Sequence, residues 1–504
     1  MISLANISKQ KGQSLLWVLG FLATMAVAFA GVYSVGQTTS EKQKIVNAVD
    51  AAAYTGAMVQ ARALNLAAYA NRAEIANEVL VAQMVSMQSW VDYMKTSASN
   101  FETVSNLASF IPGVGIVFQA ISKMLQVMEK VLDIAAKGFT TVIPFTIVTV
   151  ETYYGIMNAE LTQVFGDTGA VSMAFAAQAA AESVLAANTS NQGGKTDTAP
   201  VAIHKPELMI KNGLAWKNAF IKYKKNESAG SASDGRRNAA DIISISRDDF
   251  SKGRVGPDSD TALGVVLQYF WGSGSVGLCP LGKLGARREG STQLLSSYDR
   301  WEAQDTSEYY IAKGIKCKKN TVPYGWGRST AAGDENKGDI KQDINSKAGN
   351  DSHAYSDEYI KTNGNWTGVK DLWDVKRDKD DYPDAAFNPG AETLTFAIAA
   401  AKVKANIKNN ESLNFMNKTS TSPLGSVDVK ANYQNDQIAA KSEAKIFFSR
   451  PAKNSQDFTG TSLFRNDNHK EIASLYNPYW QVRLVNTSVA SNVIINKLFA
   501  FYTQ

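Results

Sequence analysis

The most prominent hydrophobic segment of the chain is an uncharged run near its N-terminus. No Asp, Glu, Lys or Arg occurs between residues 12 and 40, and residues 15–35 are almost entirely apolar. About 20 apolar residues in a helix cross the hydrocarbon core of a bilayer. The pattern therefore predicts a transmembrane helix over residues 13–37.

The flanks of this run predict its orientation. Lys9 and Lys11 stand just before it, and a positive flank tends to remain in the cytoplasm. Residues 1–12 are then a cytoplasmic leader, and the bulk of the chain is periplasmic or extracellular. A cleaved secretory signal has the same polarity and is the alternative, but its apolar core usually covers only about 7–15 residues.

Helical patterns continue over residues 38–187, which we interpret as a helical stalk. Proline, the strongest helix breaker, is absent before Pro112, so residues 14–96 are predicted as one long helix. Apolar residues recur along it at the 4-3-4-3 spacing of a coiled-coil seam. The members of this seam are Leu80, Met84, Met87, Val91 and Met94.

A second seam with the same spacing predicts a return helix that packs antiparallel on the first and ends near Gly138. Its members are Ile121, Leu125, Met128, Leu132 and Ala135. Val104–Ser122 is uncharged and could be a second membrane span, but its Pro and Gly residues favour a helical corner. Thr140–Val150 is β-branched and contains Pro144, which favours a buried strand or extended crossover. Residues 153–187 are predicted as a third helix.

The distal part of the chain has a different pattern of apolar and polar residues. Residues 188–200 form a polar linker, and residues 201–504 contain short apolar runs between turn residues, typical of strands. The predicted strands are Gly264–Trp271, Leu394–Ala399, Ala444–Phe448 and Tyr479–Val485, and the polar residues 331–384 are predicted as long loops. The fold class is therefore α+β: a long N-terminal helix with a helical hairpin, followed by a mixed, mostly-β extracytoplasmic domain.

Charge and cysteine content narrow the function classes. The net charge is +5 over 504 residues without a basic cluster, which argues against a nucleic-acid footprint. The only two cysteines, Cys279 and Cys317, could form a disulfide outside the cytoplasm. Two unpaired thiols are the alternative.

The sequence offers little for catalysis. The three histidines are far apart, and the sequence contains no catalytic signature of a hydrolase or NTPase. We therefore predict no enzymatic activity, no catalytic residue and no bound cofactor. Calcium is the one metal considered, because carboxylates clustered in a loop can bind it, although a solvated loop is the simpler explanation for them. These carboxylates are Asp378, Asp380, Asp381 and Asp384.

The N-terminal segment resembles the start of TadG/TadE-like proteins, pilin-like membrane proteins of the Tad (tight adherence, Flp) pilus of bacteria. The resemblance rests on Lys11–Leu15, Asn47–Ala53 and Gly56-Ala57. Asn71–Glu78 and Asn477–Leu484 are similar to segments of large members. The resemblance implies an inner-membrane protein with an external domain, which serves a surface filament together with other Tad or pilin-like subunits.

One departure from pilins affects this expectation. Pilin precursors are cut after a glycine and usually carry Glu at the fifth mature position, whereas a cut between Gly12 and Gln13 would place Trp17 there. We therefore expect a non-enzymatic, membrane-anchored accessory component. A processed filament subunit is the alternative, and a membrane-anchored calcium-dependent adhesin is an alternative from another class.

Two further sets of residues are candidates for packing against other subunits. Small residues in the membrane helix permit close helix–helix contact and self-association as a homo-oligomer: Gly20, Ala23, Ala26, Ala30 and Gly31. Asn71, Glu74 and Glu78 share one helix face beside Arg72. They are either a docking patch for another subunit or a solvated face with local ion pairs.

Overall fold

The structure of the chain is a computed structural model. It describes residues 13–108, 115–189, 206–224, 236–254, 258–259, 273–276, 283–295, 297–313, 318–332, 360–363, 366–376, 394–403, 437–449, 473–488 and 491.

Six helices are described. In chain order they are α1 (Gln13–Ala108), α2 (Gly115–Phe165), α3 (Asp167–Thr189), α4 (Pro206–Ala219), α5 (Arg237–Ser246) and α6 (Asp249–Lys252). The single long helix expected from residue 14 is confirmed. The predicted boundary of the third helix is wrong, because α2 continues to Phe165 and α3 begins after Gly166.

Eleven strands are described, and they form three sheets. The strands are β1 (Phe220–Lys222), β2 (Asp258–Ser259), β3 (Ser273–Val276), β4 (Lys283–Leu294), β5 (Arg300–Lys313), β6 (Lys318–Ala332), β7 (Ile360–Asn363), β8 (Trp373–Val375), β9 (Thr395–Val403), β10 (Gln437–Phe448) and β11 (Trp480–Val485). Their orders are β1-β8, β11-β10-β9 and β2-β3-β4-β5-β6-β7. The structure has a long N-terminal helix followed by mostly-β sheets in the distal part of the chain. The predicted α+β class is therefore confirmed.

The chain divides into two compact units, and each unit collects segments that are distant in sequence. Unit 1 comprises residues 1–66, 162–221 and 375–504, and unit 2 comprises residues 67–161 and 222–374. Each unit therefore draws on chain from both sides of the predicted linker, whose role as a domain boundary stays a prediction.

In unit 2, α1 and α2 form an antiparallel hairpin. Lys95 Nζ lies 2.5 Å from Asp133 Oδ1, and Gln126 Nε2 donates a hydrogen bond of 2.9 Å to Glu102 Oε1. A later residue of α1 therefore contacts an earlier residue of α2, which is the arrangement of antiparallel helices. The predicted return helix is confirmed, but its expected end near Gly138 is wrong.

The strand predicted over Thr140–Val150 is wrong, because this segment lies inside α2 and includes Pro144. Ile143, Ile147 and Val150 are buried, and their spacing of four and three residues is that of one helix face. Proline in a helix costs about 3 kcal/mol. Burial of this apolar face by tertiary packing outweighs the cost, which a local pattern does not reveal.

The six-stranded sheet of unit 2 packs on α1 through polar side chains. Ser86 hydrogen-bonds to Thr292 at 2.7 Å, and Ser89 donates to Asp305 Oδ2 at 2.7 Å. Arg254 forms a buried ion pair with Asp305 at 2.8 Å. Buried polar groups require such partners, so this interface is specified by hydrogen bonds as well as by shape.

In unit 1, the three-stranded sheet packs on an earlier part of α1. A side chain at Gly56 would collide with the Phe396 ring at 2.4 Å, so the glycine permits close approach to β9. The Asn65 amide accepts from the Trp480 nitrogen and donates to its carbonyl, both at 3.0 Å. These two hydrogen bonds satisfy the backbone N–H and C=O of Trp480 at the outer edge of β11.

The strands predicted within residues 394–399, 444–448 and 479–485 are confirmed as parts of β9, β10 and β11. Gly264–Trp271 lies outside the described residues. The expectation of loops over residues 331–384 is wrong for residues 360–363 and 373–375, which form β7 and β8. Trp366 is buried, and residues 333–359, 364–365 and 377–384 lie outside the described residues.

The sequence pattern does not predict strands β4 to β6, because many of their buried residues are polar. Within β5, the residues from 302 to 308 are all buried and include Gln304, Asp305 and Glu308. A buried strand of this composition lacks the apolar alternation that identifies strands from sequence.

Candidate membrane anchor and buried carboxylate cluster

The first part of α1 exposes apolar side chains on all of its faces. Leu16, Trp17, Phe21, Phe29 and Val32 are each at least 65% exposed. A helix that is apolar all round must be buried in lipid or among other helices. Within the described part of the chain nothing covers this segment, which fits the predicted membrane helix.

Three described helices are long and apolar enough to cross a membrane, by length and composition alone: Ser14–Thr103, Ser122–Phe165 and Asp167–Thr189. The most apolar stretch belongs to the first, and none of it is buried by the rest of the chain. The corresponding stretches of the other two are partly buried in the fold. The first is therefore the strongest candidate for a membrane anchor.

A charged cluster follows directly after the anchor. Glu41 accepts hydrogen bonds of 3.0 Å from both Lys402 and Lys44. Burial tends to raise the pKa of Glu41, but the two lysines outweigh it and leave the pKa below its ordinary value. This ion pair ties β9 to α1 just beyond the apolar segment.

The small residues proposed for helix packing lie in this exposed region. Gly20, Ala23 and Ala30 are exposed and Gly31 is half-buried. A Cβ on either glycine would meet nothing within 4 Å, so the surface is open for another helix. Self-association through it stays a prediction.

Farther along α1, the structure brings together a cluster of buried carboxylates. Asn71, Glu74 and Glu78 are 0%, 3% and 1% exposed, whereas Arg72 is exposed. Both earlier interpretations of this face are therefore wrong. It is neither solvated nor open to another subunit, because the chain itself covers it.

The covering groups come from α2, from the segment before β8 and from the first residue of β8. Asn71 donates to the Trp373 carbonyl at 2.9 Å, and Trp366 Nε1 donates to Glu78 Oε2 at 3.0 Å. Lys370 is also buried, but its ammonium pairs with Glu151 of α2. Thr367 donates a further backbone bond of 2.9 Å to Glu151.

This arrangement provides one buried lysine for three carboxylates. Burial raises the pKa of Glu74 to about 7 and that of Glu78 to about 8. The nearby Lys370 lowers both values and the Glu151 charge raises both, but burial dominates. Within the described part of the chain, neither oxygen of Glu74 has a hydrogen-bond partner. Both groups are therefore poised to hold a proton near neutral pH.

A small pocket adjoins Glu74, between α1, α2 and residues 371–373. Its volume of about 10 Å³ corresponds to roughly one water molecule. Such a pocket cannot hold an organic substrate, but it can admit a water that hydrogen-bonds to Glu74.

The seam predicted on α1 is only partly buried. Val91 and Met94 are buried, Leu80 and Met84 are half-buried, and Met87 is 41% exposed. The most buried face of α1 in this region instead carries its serine residues and packs against the six-stranded sheet. Sequence reasoning missed this face because it expected hydrophobic packing.

Several predicted site residues lie outside the described residues. These are the processing residue Gly12, the cysteines Cys279 and Cys317, and the acidic residues Asp378, Asp380, Asp381 and Asp384. Gln13 is the first residue of α1. Cleavage, disulfide formation and calcium binding therefore stay predictions. Among the described residues, no group of three or more His, Cys, Asp or Glu residues is arranged to hold a metal ion.

Comparison with known families bears directly on the anchor. Residues 12–60 match the family model described as putative Flp pilus-assembly TadE/G-like. The N-terminal segment is TadE/G-like. The TadE/G-like match begins at Gly12, covers the membrane helix and ends within the buried part of α1, so it includes residues 12–15, Asn47–Ala53 and Gly56-Ala57 of the segments that suggested the resemblance. It supports a role related to pilus assembly, membrane association and contact with other pilus components.

The match leaves most of the chain without a relative. The segments Asn71–Glu78 and Asn477–Leu484 lie outside the TadE/G-like match. Comparisons with the curated proteins and with the solved structures found no match.

Proposed function

We propose that the protein is a non-enzymatic, pilin-like accessory component of a Tad-type pilus, anchored in the bacterial inner membrane. The observation that carries this proposal is the exposed apolar helix inside the segment that matches the pilus-assembly family. Its N-terminus faces the cytoplasm, and the rest of the chain lies in the periplasm or beyond. It acts by packing and positioning, without a cofactor or a chemical step.

The absence of the usual pilin glutamate supports an accessory role. The fifth position after Gly12 is Trp17, which is 82% exposed. A buried carboxylate in a filament core requires a specific partner. This chain has no carboxylate at that position to make such a contact. A processed filament subunit is the second candidate, because the same exposed helix would also be buried by neighbouring helices in a filament.

A test of the proposal is genetic complementation with a damaged anchor. In a strain that lacks the protein, a Leu22→Arg/Phe29→Arg variant should leave the membrane fraction and fail to restore pili. Each arginine at the bilayer centre costs about 2.5–3.5 kcal/mol. The matched Leu22→Ala/Phe29→Ala variant keeps an apolar helix and should restore both. Normal pili in the strain without the protein would contradict the proposal.

A further inference from the structure

A second apolar surface runs along the outer face of α2, within unit 2. This outer stripe consists of Met124, Val127, Val131, Ile134, Phe145 and Val148, which are each 58–73% exposed. The opposite face of α2 is buried, with Leu125 and Ile147 only 3% and 1% exposed. The helix is therefore apolar on two faces, although the fold uses only one of them.

The spacing of the outer stripe is that of a coiled-coil seam. Successive members from Met124 to Ile134 are three, four and three residues apart, and Phe145 and Val148 continue the same heptads. Gly138 and the exposed Thr141 occupy the two stripe positions between Ile134 and Phe145, and a Cβ at Gly138 would meet nothing within 4 Å. Such a seam is shaped to receive the side chains of another helix.

A row of lysines borders the stripe on one side. Lys123, Lys130 and Lys137 are exposed and are seven residues apart, so they occupy the same flanking position of three heptads. Lys137 also pairs with Asp133 at 2.7 Å. Flanking charges of this kind select the partner and its orientation.

The charge pattern argues against a second copy of the chain as the occupant. In an antiparallel pair of α2 helices the two lysine rows would face each other. In a parallel pair they would face Met128, Ala135 and Val142, which carry no charge. Neither arrangement gives the lysines an acidic partner.

The same charges argue against a transmembrane position for residues 123–137 of α2. A span over this part of α2 would place Lys130, Asp133 and Lys137 in hydrocarbon, at a cost of several kcal/mol. Glu151 also ties α2 to the buried Lys370.

We propose that the outer stripe of α2 docks an amphipathic helix of another protein, with acidic residues facing Lys123, Lys130 and Lys137. The stripe is separate from the membrane helix, so this docking and the anchored pilus role can fail independently.

The test uses the full chain in phosphatidylcholine nanodiscs and two fluorescent three-heptad peptides. Both peptides carry Leu and Ile at the seam positions; one has Glu and the other Lys at all flanking positions. The acidic peptide should bind at least about tenfold more tightly by anisotropy, because like charges across an interface are unfavourable. Added salt should weaken this preference.

Variants locate the binding and control for misfolding. Val131→Asp/Ile134→Asp should abolish binding of the acidic peptide, whereas Ala76→Asp, at an exposed position of α1, should leave it unchanged. Lys123→Glu/Lys130→Glu should reverse the preference and bind the basic peptide, which requires a folded stripe. The proposal is overturned if neither peptide binds or if the charge swap does not reverse the preference. It is also overturned if cross-linking in nanodiscs joins two copies of the chain through their α2 helices.

Discussion

At the scale of single residues, burial in this protein often falls on polar groups. The sequence places Glu74 and Glu78 on one helix face, and that much is predictable from helical spacing. It does not reveal that Trp366, 288 residues after Glu78, donates a hydrogen bond to the Glu78 carboxylate. A contact of this kind depends on tertiary structure that no local pattern encodes.

The buried carboxylates predict how stability depends on pH. Their pKa values of about 7 and 8 in the folded chain lie above the ordinary value of 4.5. The folded state therefore holds protons that the unfolded state releases, and the stabilisation is complete below about pH 4.5 and is lost as the pH rises through 7 and 8. The urea midpoint of unfolding, followed by tryptophan fluorescence in detergent, should therefore decrease as the pH is raised from 6 to 9.

Glu78→Gln should flatten this pH dependence, because the amide cannot ionise. Charges that face Glu78 also include Glu74, Glu151 and Lys370, so part of the slope should remain. Glu160→Gln, at an exposed position of α2, is the control and should keep the wild-type slope. A slope that Glu78→Gln leaves intact would contradict the assignment.

A glycine in β6 predicts a large packing effect. A Cβ on Gly327 would lie 2.0 Å from the Ser89 carbonyl oxygen and 2.4 Å from the Tyr93 nitrogen, both in the α1 backbone. Gly327→Ala should therefore lower the free energy of unfolding by about 1–3 kcal/mol or more. The control is Gly155→Ala, at an open helical position, which should raise stability by about 0.5–1 kcal/mol. Equal effects of the two variants would exclude close approach of β6 to α1.

At the scale of elements, prediction succeeded where one periodic signal dominated. The long α1 and the strands β9, β10 and β11 were found because their apolar patterns and the absence of proline agree. Residues 140–150 were assigned to a strand because β-branched residues and Pro144 outweighed the spacing of Ile143, Ile147 and Val150. In the fold, that spacing decides.

Pro144 provides a direct test of the helix in this segment. Pro144→Ala should restore a backbone hydrogen bond inside α2 and raise the free energy of unfolding by up to about 3 kcal/mol. Pro206→Ala is the matched control, because proline at the first position of a helix has no intrahelical bond to lose. A loss of stability in the Pro144 variant would indicate that residues 140–150 are extended.

At the scale of the whole molecule, the fold joins segments that sequence reasoning kept apart. The expected division into a helical stalk and a distal domain follows composition, which changes near residue 190. The two compact units instead combine parts of α1 with strands hundreds of residues away. The anchor was predictable because membrane crossing depends on a short local property, whereas the polar contacts between α1 and the sheets are long-range.

The central claim is that the TadE/G-like helix stays in the membrane as an uncut anchor. Intact mass and N-terminal sequencing of the protein from native membranes test it most directly. The account predicts a membrane-bound chain that still contains the residues before Gly12. A chain that begins at Gln13 would contradict it and would make the protein a processed filament subunit.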